Sequence, residues 1–335
     1  AAAAPGRGVL ARPQAEARVN AGRCVLLGVL TRGCRHWALI RTAQEPAMAV
    51  PEYPRPPFKP QQQSFPGKTE KMDPRPDHGE RSYVGHGLLK DKKTLITGGD
   101  SGIGAAVAIA FAREGADVAI VHLPTEKDDA QRTAEQIREA GVQALTIACD
   151  ISDPQQAQEM IEQVVAEFGR IDVLVNNAAY QRYFHSLEEI TLEEWNRTFA
   201  TNVHAPFNLV RLATPHMPEG GSIINTASVQ SKKPTPNILP YAATKGAIAN
   251  MTLGLAGLLA EKKIRVNAVL PGPIWTPFIP AGMDEEEVKT FGEDVPFKRP
   301  GQPAELASAY VMLAADSASY TSGALLTISG GAAML

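Results

Sequence analysis

The stretch that most narrows the fold is Thr94-Leu95-Ile96-Thr97-Gly98-Gly99-Asp100-Ser101-Gly102-Ile103-Gly104. A short apolar run, a glycine-rich turn and an alanine-rich helical pattern follow one another, which is the context a dinucleotide-binding loop requires. Each glycine has its own task there. Gly98 permits the tight turn out of the strand, Gly102 lets backbone approach a pyrophosphate, and Gly104 lets the helix pack close to the sheet. Asp100, Ser101 and Ile103 complete the loop, whose free N–H groups and positive helix end would meet the phosphates.

From Asp91 onward the pattern alternates. Strands are expected at 93–97, 117–122, 144–149, 171–175, 221–226, 264–269 and 324–328, and helices at 102–114, 127–140, 154–168, 188–214, 239–262, 284–291 and 302–315. Such alternation predicts an α/β protein with a doubly wound, parallel, seven-stranded sheet, a Rossmann fold in one domain over 91–335. No apolar run approaches the ~18 residues of a membrane span. The net charge of -3 gives no basic field for nucleic acid or anionic lipid. Cys24, Cys34 and Cys149 show neither paired nor zinc-type spacing, so no metal is expected and a reducing cytoplasm suits the chain.

Tyr241 and Lys245 stand four residues apart, one turn along the same helix face. A free phenol titrates near 10, and a neighbouring ammonium favours the phenolate. Ser228 precedes the proline-rich turn into that helix and can return to the same place as a hydroxyl donor. By itself the Tyr-Lys pair has a plain alternative, a half-buried tyrosine beside a snorkelling lysine. The glycine-rich turn upstream shifts that balance.

Together with Asn176-Asn177-Ala178-Ala179 and Pro271-Gly272-Pro273-Ile274, these motifs resemble the short-chain dehydrogenase/reductase family over roughly residues 91–331. The resemblance implies direct hydride transfer between a nicotinamide and a carbonyl carbon, interconverting an aldehyde or ketone with an alcohol. Tyr241 would be the acid in reduction and the base in oxidation, and Ser228 would hydrogen-bond the substrate oxygen. Lys245 would lower the tyrosine pKa and hold ribose hydroxyls, while Asn202 would link it to a proton-relay water. Asp150, with Ile151, matches the family's adenine contact and Asn177 its adenosine-ribose contact. Pro271, Gly272, Ile274 and Thr276 match the segment along the carboxamide, contacts coming from the Ile274 backbone and the Thr276 hydroxyl. Ala179 departs from the family's glycine and leaves less room beside the nicotinamide. Residues 275–300, with Phe278, Ile279, Met283 and Phe291, would form a mobile substrate lid. A polyol or sugar dehydrogenase fits the same site. From another class, a catalytically silent dinucleotide-binding sensor also fits.

The cofactor choice depends on the end of the second strand, where His122 stands in place of the acid that binds a ribose 2′-hydroxyl in NAD enzymes. Without that acid a 2′-phosphate is not repelled, and His122 and Lys127 are available to it, so the balance favours NADP(H) over NAD(H).

Residues 1–47 carry seven arginines against Glu16 and Glu45, with one short apolar patch at 24–30. They read as an upstream extension before Met48 or as an organelle-targeting leader. Residues 48–90 form a Pro/Gln-rich arm. The arm and the Met72-Asp73-Pro74-Arg75-Pro76-Asp77 run resemble a bacterial general-stress and aldehyde-reductase-like subgroup, related to glucose/ribitol dehydrogenase homologues. In that subgroup the arm packs over the core or a neighbouring subunit. Family likeness further implies a homotetramer built on helices 188–214 and 239–262 and on the C-terminal tail.

Overall fold

The computed structural model describes residues 52–332; the leader expected at 1–47, with Cys24 and Cys34, lies outside the described residues. Seven strands pair in the order 3-2-1-4-5-6-7, every neighbour parallel: β1 (Lys93–Thr97), β2 (Asp117–His122), β3 (Ala144–Ala148), β4 (Val173–Asn176), β5 (Ser222–Thr226), β6 (Arg265–Pro271) and β7 (Leu325–Ile328). The central strands β4, β5 and β6 are buried along their whole length because both sheet faces are covered there. Successive residues alternate between two cores. Ile96, Ile120, Val175 and Ile224 face one, while Leu95, Ala119, Leu174 and Ile223 face the other.

The first core is closed by α1 (Gly102–Arg113), α2 (Lys127–Glu139) and a late helix, Ala304–Ala314. Five alanines of α1 are buried, which lets it sit close to that late helix around Phe111 and Tyr310. The second core is closed by α3 (Pro154–Phe168), α5 (Ala205–Ala213) and α6 (Leu239–Leu258), with α4 (Leu192–Phe199) packed against α6. Strand order reverses between β1 and β4, and a doubly wound sheet opens its ligand crevice at the carboxyl ends there. Among the described residues no helix is long and apolar enough to cross a membrane.

The helix expected at 188–214 differs from the pattern. It starts at Leu192, capped by the Thr191 hydroxyl accepting the Glu194 N–H, and its turn widens at Ala200–His204, where the Ala205 N–H reaches back five residues to Ala200 O. Pro206 supplies a reason: it has no N–H for the carbonyl of Asn202 four residues earlier. The helix expected at 284–291 is present but shorter, as α8 (Glu285–Lys289), and is preceded by a further short one, α7 (Phe278–Gly282); the late helix is then α9.

The arm packs over this core. The Glu114 carboxylate accepts the Tyr83 hydroxyl and the N–H groups of His86 and Leu88, and Arg113 donates to Gly79 O, Glu80 O and Tyr83 O. Farther up the arm, Phe58 stacks on the fully buried Trp275 with centroids 4.2 Å apart. The Trp275 indole N–H donates to Pro74 O at 2.8 Å. The stretch expected to be a free lid is therefore tied down by chain two hundred residues away.

Candidate active site

The glycine turn crosses the crevice mouth in the geometry its residue types demand. Gly98 has φ +62° and Gly102 φ +51°, both left-handed. A Cβ on Gly104 would run into Gly98 O, so only glycine allows α1 to start this close to β1. Ser101 precedes α1 without turning its side chain back to cap it. The first-turn amides of α1 are left for a ligand, and Ser101, Gly102 and Ile103 line the cleft there. An anionic pyrophosphate fits such a cradle.

Asn177 braces the turn. Its amide donates to Thr97 O and Gly98 O, both at 3.1 Å, and its carbonyl accepts from the Thr226 hydroxyl at 3.3 Å. It also lines the cleft, so the ribose contact implied by family likeness and the bracing share one side chain.

Toward the β2 and β3 side the cleft is lined by Asp100, His122, Leu123, Asp150 and Ile151. Asp153, not Asp150, caps α3, accepting from the N–H groups of Gln155 and Gln156. Asp150 instead accepts from Ser152 N and Oγ. The buried Nδ1 of His122 lies 2.8 Å from Leu123 O. Lys127 is exposed and outside the lining. Glu126, which the sequence reading passed over, does line the cleft. It accepts the Leu123 N–H at 2.9 Å. Burial raises its pKa, as it raises that of the wholly buried Asp100 with Glu126 adding to the effect, so the acids brought here are less charged than ordinary carboxylates. Cys149 lies beside them, its thiol pushed up to about 11 by burial, an inert packing group.

Tyr241 and Lys245 lie on α6 and face the cleft together. The Lys245 ammonium nitrogen is 5.2 Å from the Tyr241 ring centre and donates to Thr226 O at 2.7 Å. Ser228, two residues beyond β5, stands near enough to Tyr241 to draw its pKa down and accepts the Gln230 N–H at 3.2 Å. Asn202 sits in the widened turn, 1% exposed. Its side chain accepts from Tyr180 N at 2.7 Å and donates to Tyr180 O and the Thr244 hydroxyl.

Burial reverses the electrostatics that the Tyr-Lys spacing suggests. It pushes the Tyr241 phenol up to about 12, against the pull of nearby Ser228, and pushes Lys245 down to about 7. A lysine half neutral at pH 7 offers little charge to draw a proton from its neighbour, so the expected lowering of the phenol is outweighed in this geometry.

The same burial makes Lys245 costly to the fold. Its unfolded-state pKa is near 10.5 and its folded one about 7. Below pH 7 both states are protonated and the penalty for the buried charge is in full force. Between pH 7 and 10.5 the unfolded chain binds more protons, so native stability rises with pH across that window. Lys245→Met removes the charge but leaves Thr226 O short of a donor. We expect it to be more stable than the parent by about 2 kcal/mol at pH 6, with the gap closing at about pH 8.5 and the order reversed by a similar amount at pH 10. Urea unfolding at both pH values is the check, and a gap independent of pH would discard this account.

Thr276 lines the cleft directly against Gly102, whose added Cβ would lie 3.0 Å from its methyl carbon. Pro271, Gly272 and Ile274 stand behind it. Gly272 N–H bonds Ile328 O and is packed against Ser329, while Ile274 belongs to the first core. Sequence reasoning also missed Phe65, Pro66 and Gly67 of the arm, and Arg197 of α4, all of which line the cleft. No local signal marks them, since their positions depend on contacts distant in sequence.

A family model described as enoyl-(acyl carrier protein) reductase matches residues 98–333. The glucose and ribitol dehydrogenase of Daucus carota is 48% identical over 281 residues, 82% of this chain and 97% of that protein. The NADPH-dependent aldehyde reductase 1, chloroplastic, of Arabidopsis thaliana is 46% identical over 280 residues, again 82% of this chain and 97% of that protein. Among solved structures, a short chain dehydrogenase from Burkholderia cenocepacia J2315 in complex with NADP aligns with a TM-score of 0.69 at 33% identity, covering 73% of this chain and 98% of that one. With its glycine turn, its Tyr241–Lys245 pair and this extent of likeness, the chain belongs to the short-chain dehydrogenase/reductase family and is an oxidoreductase.

Proposed function

We propose that this protein is an NADP(H)-dependent carbonyl reductase that converts an aldehyde or ketone to the alcohol, with Tyr241 as the acid. One observation carries the reading: Tyr241, with Lys245 one turn along α6, faces a cleft continuous with the glycine turn, and burial keeps the phenol protonated there. With the phenol near 12, only about one molecule in 10⁵ is ionised at pH 7. Tyr241 thus stands ready to donate, the role reduction requires.

The nicotinamide supplies the hydride. The residues of this chain do the rest: Tyr241 Oη gives a proton to the substrate oxygen while the Ser228 hydroxyl donates to that oxygen as charge builds on it. Lys245, near neutrality, can return a proton toward Tyr241. The Asn202 side chain is taken up by Tyr180 and Thr244. What it has left for a relay water is its backbone carbonyl, to which Pro206, four residues on, can give no N–H. Glu126, turned to the Leu123 N–H and raised in pKa, weakens the objection an acid would pose to a 2′-phosphate. The relatives named for NADPH and NADP support the same choice. Oxidation of a polyol or sugar is the second reading, favoured by the carrot relative's name.

Initial rates of NADPH and NADH oxidation with short aldehydes, ketones and sugar substrates test this. Faster turnover with NADPH and aldehydes is expected; turnover confined to NAD with polyols would move the assignment to a sugar dehydrogenase. Cofactor binding without any turnover would move it to a sensor.

Large apolar side chains stand exposed on α5 and α6, among them Phe207, Leu253 and Leu258, the last 78% exposed. These support a homotetramer formed through the helices that family likeness implies. Light scattering on a sizing column should give four times the chain mass, and a monomer would refute the assembly. The cytoplasm is the compartment we expect, on the unpaired cysteine pattern.

A further inference from the structure

We propose that the N-terminal arm is itself a wall of the dinucleotide site, and that residues 63–69 must detach for the cofactor to leave. This rests on the cofactor reading above and concerns a segment outside the Rossmann domain.

The path of the chain carries the argument. Phe58 and Met72 are buried anchors in a small core with Trp275, Ile279 and Val288. Between them the arm lies largely on the surface and loops over the crevice. On the lid side, Gln63 N–H donates to Pro280 O at 2.8 Å. Gly67 is packed so closely that a Cβ would collide with Pro277 O. In the middle, the Phe65 ring meets Tyr180 edge-on, centroids 5.0 Å apart, and Arg197 lies over the Tyr180 face at 4.1 Å. On the far side, Thr69 N–H donates to Asp129 Oδ2 of α2 at 3.2 Å, with the Lys68 ammonium 3.8 Å from Asp128.

These three footholds follow β6, β4 and β2, so the segment spans the crevice from the nicotinamide half to the adenosine half. The loop holds its own shape, because the Gln63 side chain bonds both the N–H and the carbonyl of Lys68. Phe65, Pro66 and Gly67 line the same cleft as Gly102, Thr276 and Tyr241. The attachments over the cleft are a few hydrogen bonds, the packing of Gly67 on Pro277, one surface ion pair and one aromatic edge, whereas the anchors on either side are large buried side chains. The span can therefore lift while the anchors stay seated.

Gly67→Ala is the sharpest test, since its methyl group is directed at Pro277 O and at no catalytic side chain. NADPH release from the full-length protein is followed by the loss of nicotinamide fluorescence when excess NADP⁺ displaces it. We expect release at least 10-fold faster in Gly67→Ala and in Gln63→Ala than in the parent. Hydrogen exchange on the parent provides a readout independent of any variant, with the Gln63 and Thr69 amides exchanging more slowly once NADPH is bound. Release rates within twofold of the parent, with those amides indifferent to NADPH, would overturn the proposal while leaving the cofactor reading intact. A parent that binds neither NADPH nor NADH would instead overturn the cofactor reading, and this one with it.

Discussion

Tyr241→Phe is expected to lower carbonyl reduction by about 10²–10⁴-fold, the span usual for loss of a positioned acid. The change deletes one oxygen and keeps the ring, so the contacts with the Phe278 ring, centroids 5.9 Å apart, and with the Lys245 ammonium over the ring persist. What is lost is the proton donor, while Ser228 keeps its bond with the Gln230 N–H. Stability should change by no more than about 1 kcal/mol, because the phenol is protonated in both the folded and the unfolded chain at neutral pH and a single buried hydroxyl is removed. Cofactor affinity, measured by NADPH fluorescence, should stay within a few-fold, since the glycine turn and Thr276 are untouched. The informative comparison is therefore kcat against Kd for NADPH. A Phe variant that turns over at the parent's rate would mean that another group protonates the substrate, and Lys245, near 7, would be the first to examine.

The parts of the fold legible in the sequence share a physical cause. Strands such as Asp117–His122 and Val173–Asn176 are buried along nearly their whole length, so a run of mostly apolar residues marks them without knowledge of their partners. The glycine turn is legible because left-handed φ values at Gly98 and Gly102 leave few other residue choices. Where the reading fell short, the deciding contacts are distant in sequence. Pro206 was visible, but its effect on the turn holding Asn202 shows only once the helix is traced. Glu126 reaches the cleft because a short helical turn, Pro124–Glu126, folds it back onto the Leu123 N–H. Spacing put Tyr241 and Lys245 on one face correctly, yet spacing carries no information on burial, and burial decided both pKa directions. The arm is the extreme case. Phe58 and Trp275 stack across more than two hundred residues, and nothing local in either segment foretells the pair.

Gly104→Ala sets local preference against packing, and packing should win. Within a helix, alanine is favoured over glycine by about 1 kcal/mol, so propensity alone predicts a stabilised protein. The new methyl, however, would occupy the space of Gly98 O and come within 2.7 Å of the Asn177 amide nitrogen. Neither neighbour is free to yield. Gly98 N–H is bonded to Val121 O at the end of β2, and the Asn177 amide holds both Thr97 O and Gly98 O. Relief requires α1 to move away from β1, loosening an alanine-lined contact with the sheet and with α9, or requires the Asn177 bonds to break. Overpacking of this kind costs about 1–3 kcal/mol and each hydrogen bond lost adds about 1. The net expectation is a loss of about 2–4 kcal/mol after the gain in propensity is set against it. Because the displaced backbone is the phosphate cradle, NADPH affinity should fall at least 10-fold in whatever fraction remains folded. Denaturant midpoints and fluorescence titration on the same sample separate the two effects. A variant as stable as the parent that binds NADPH equally well would show that α1 can shift freely, and that the third glycine is not what brings helix and turn together.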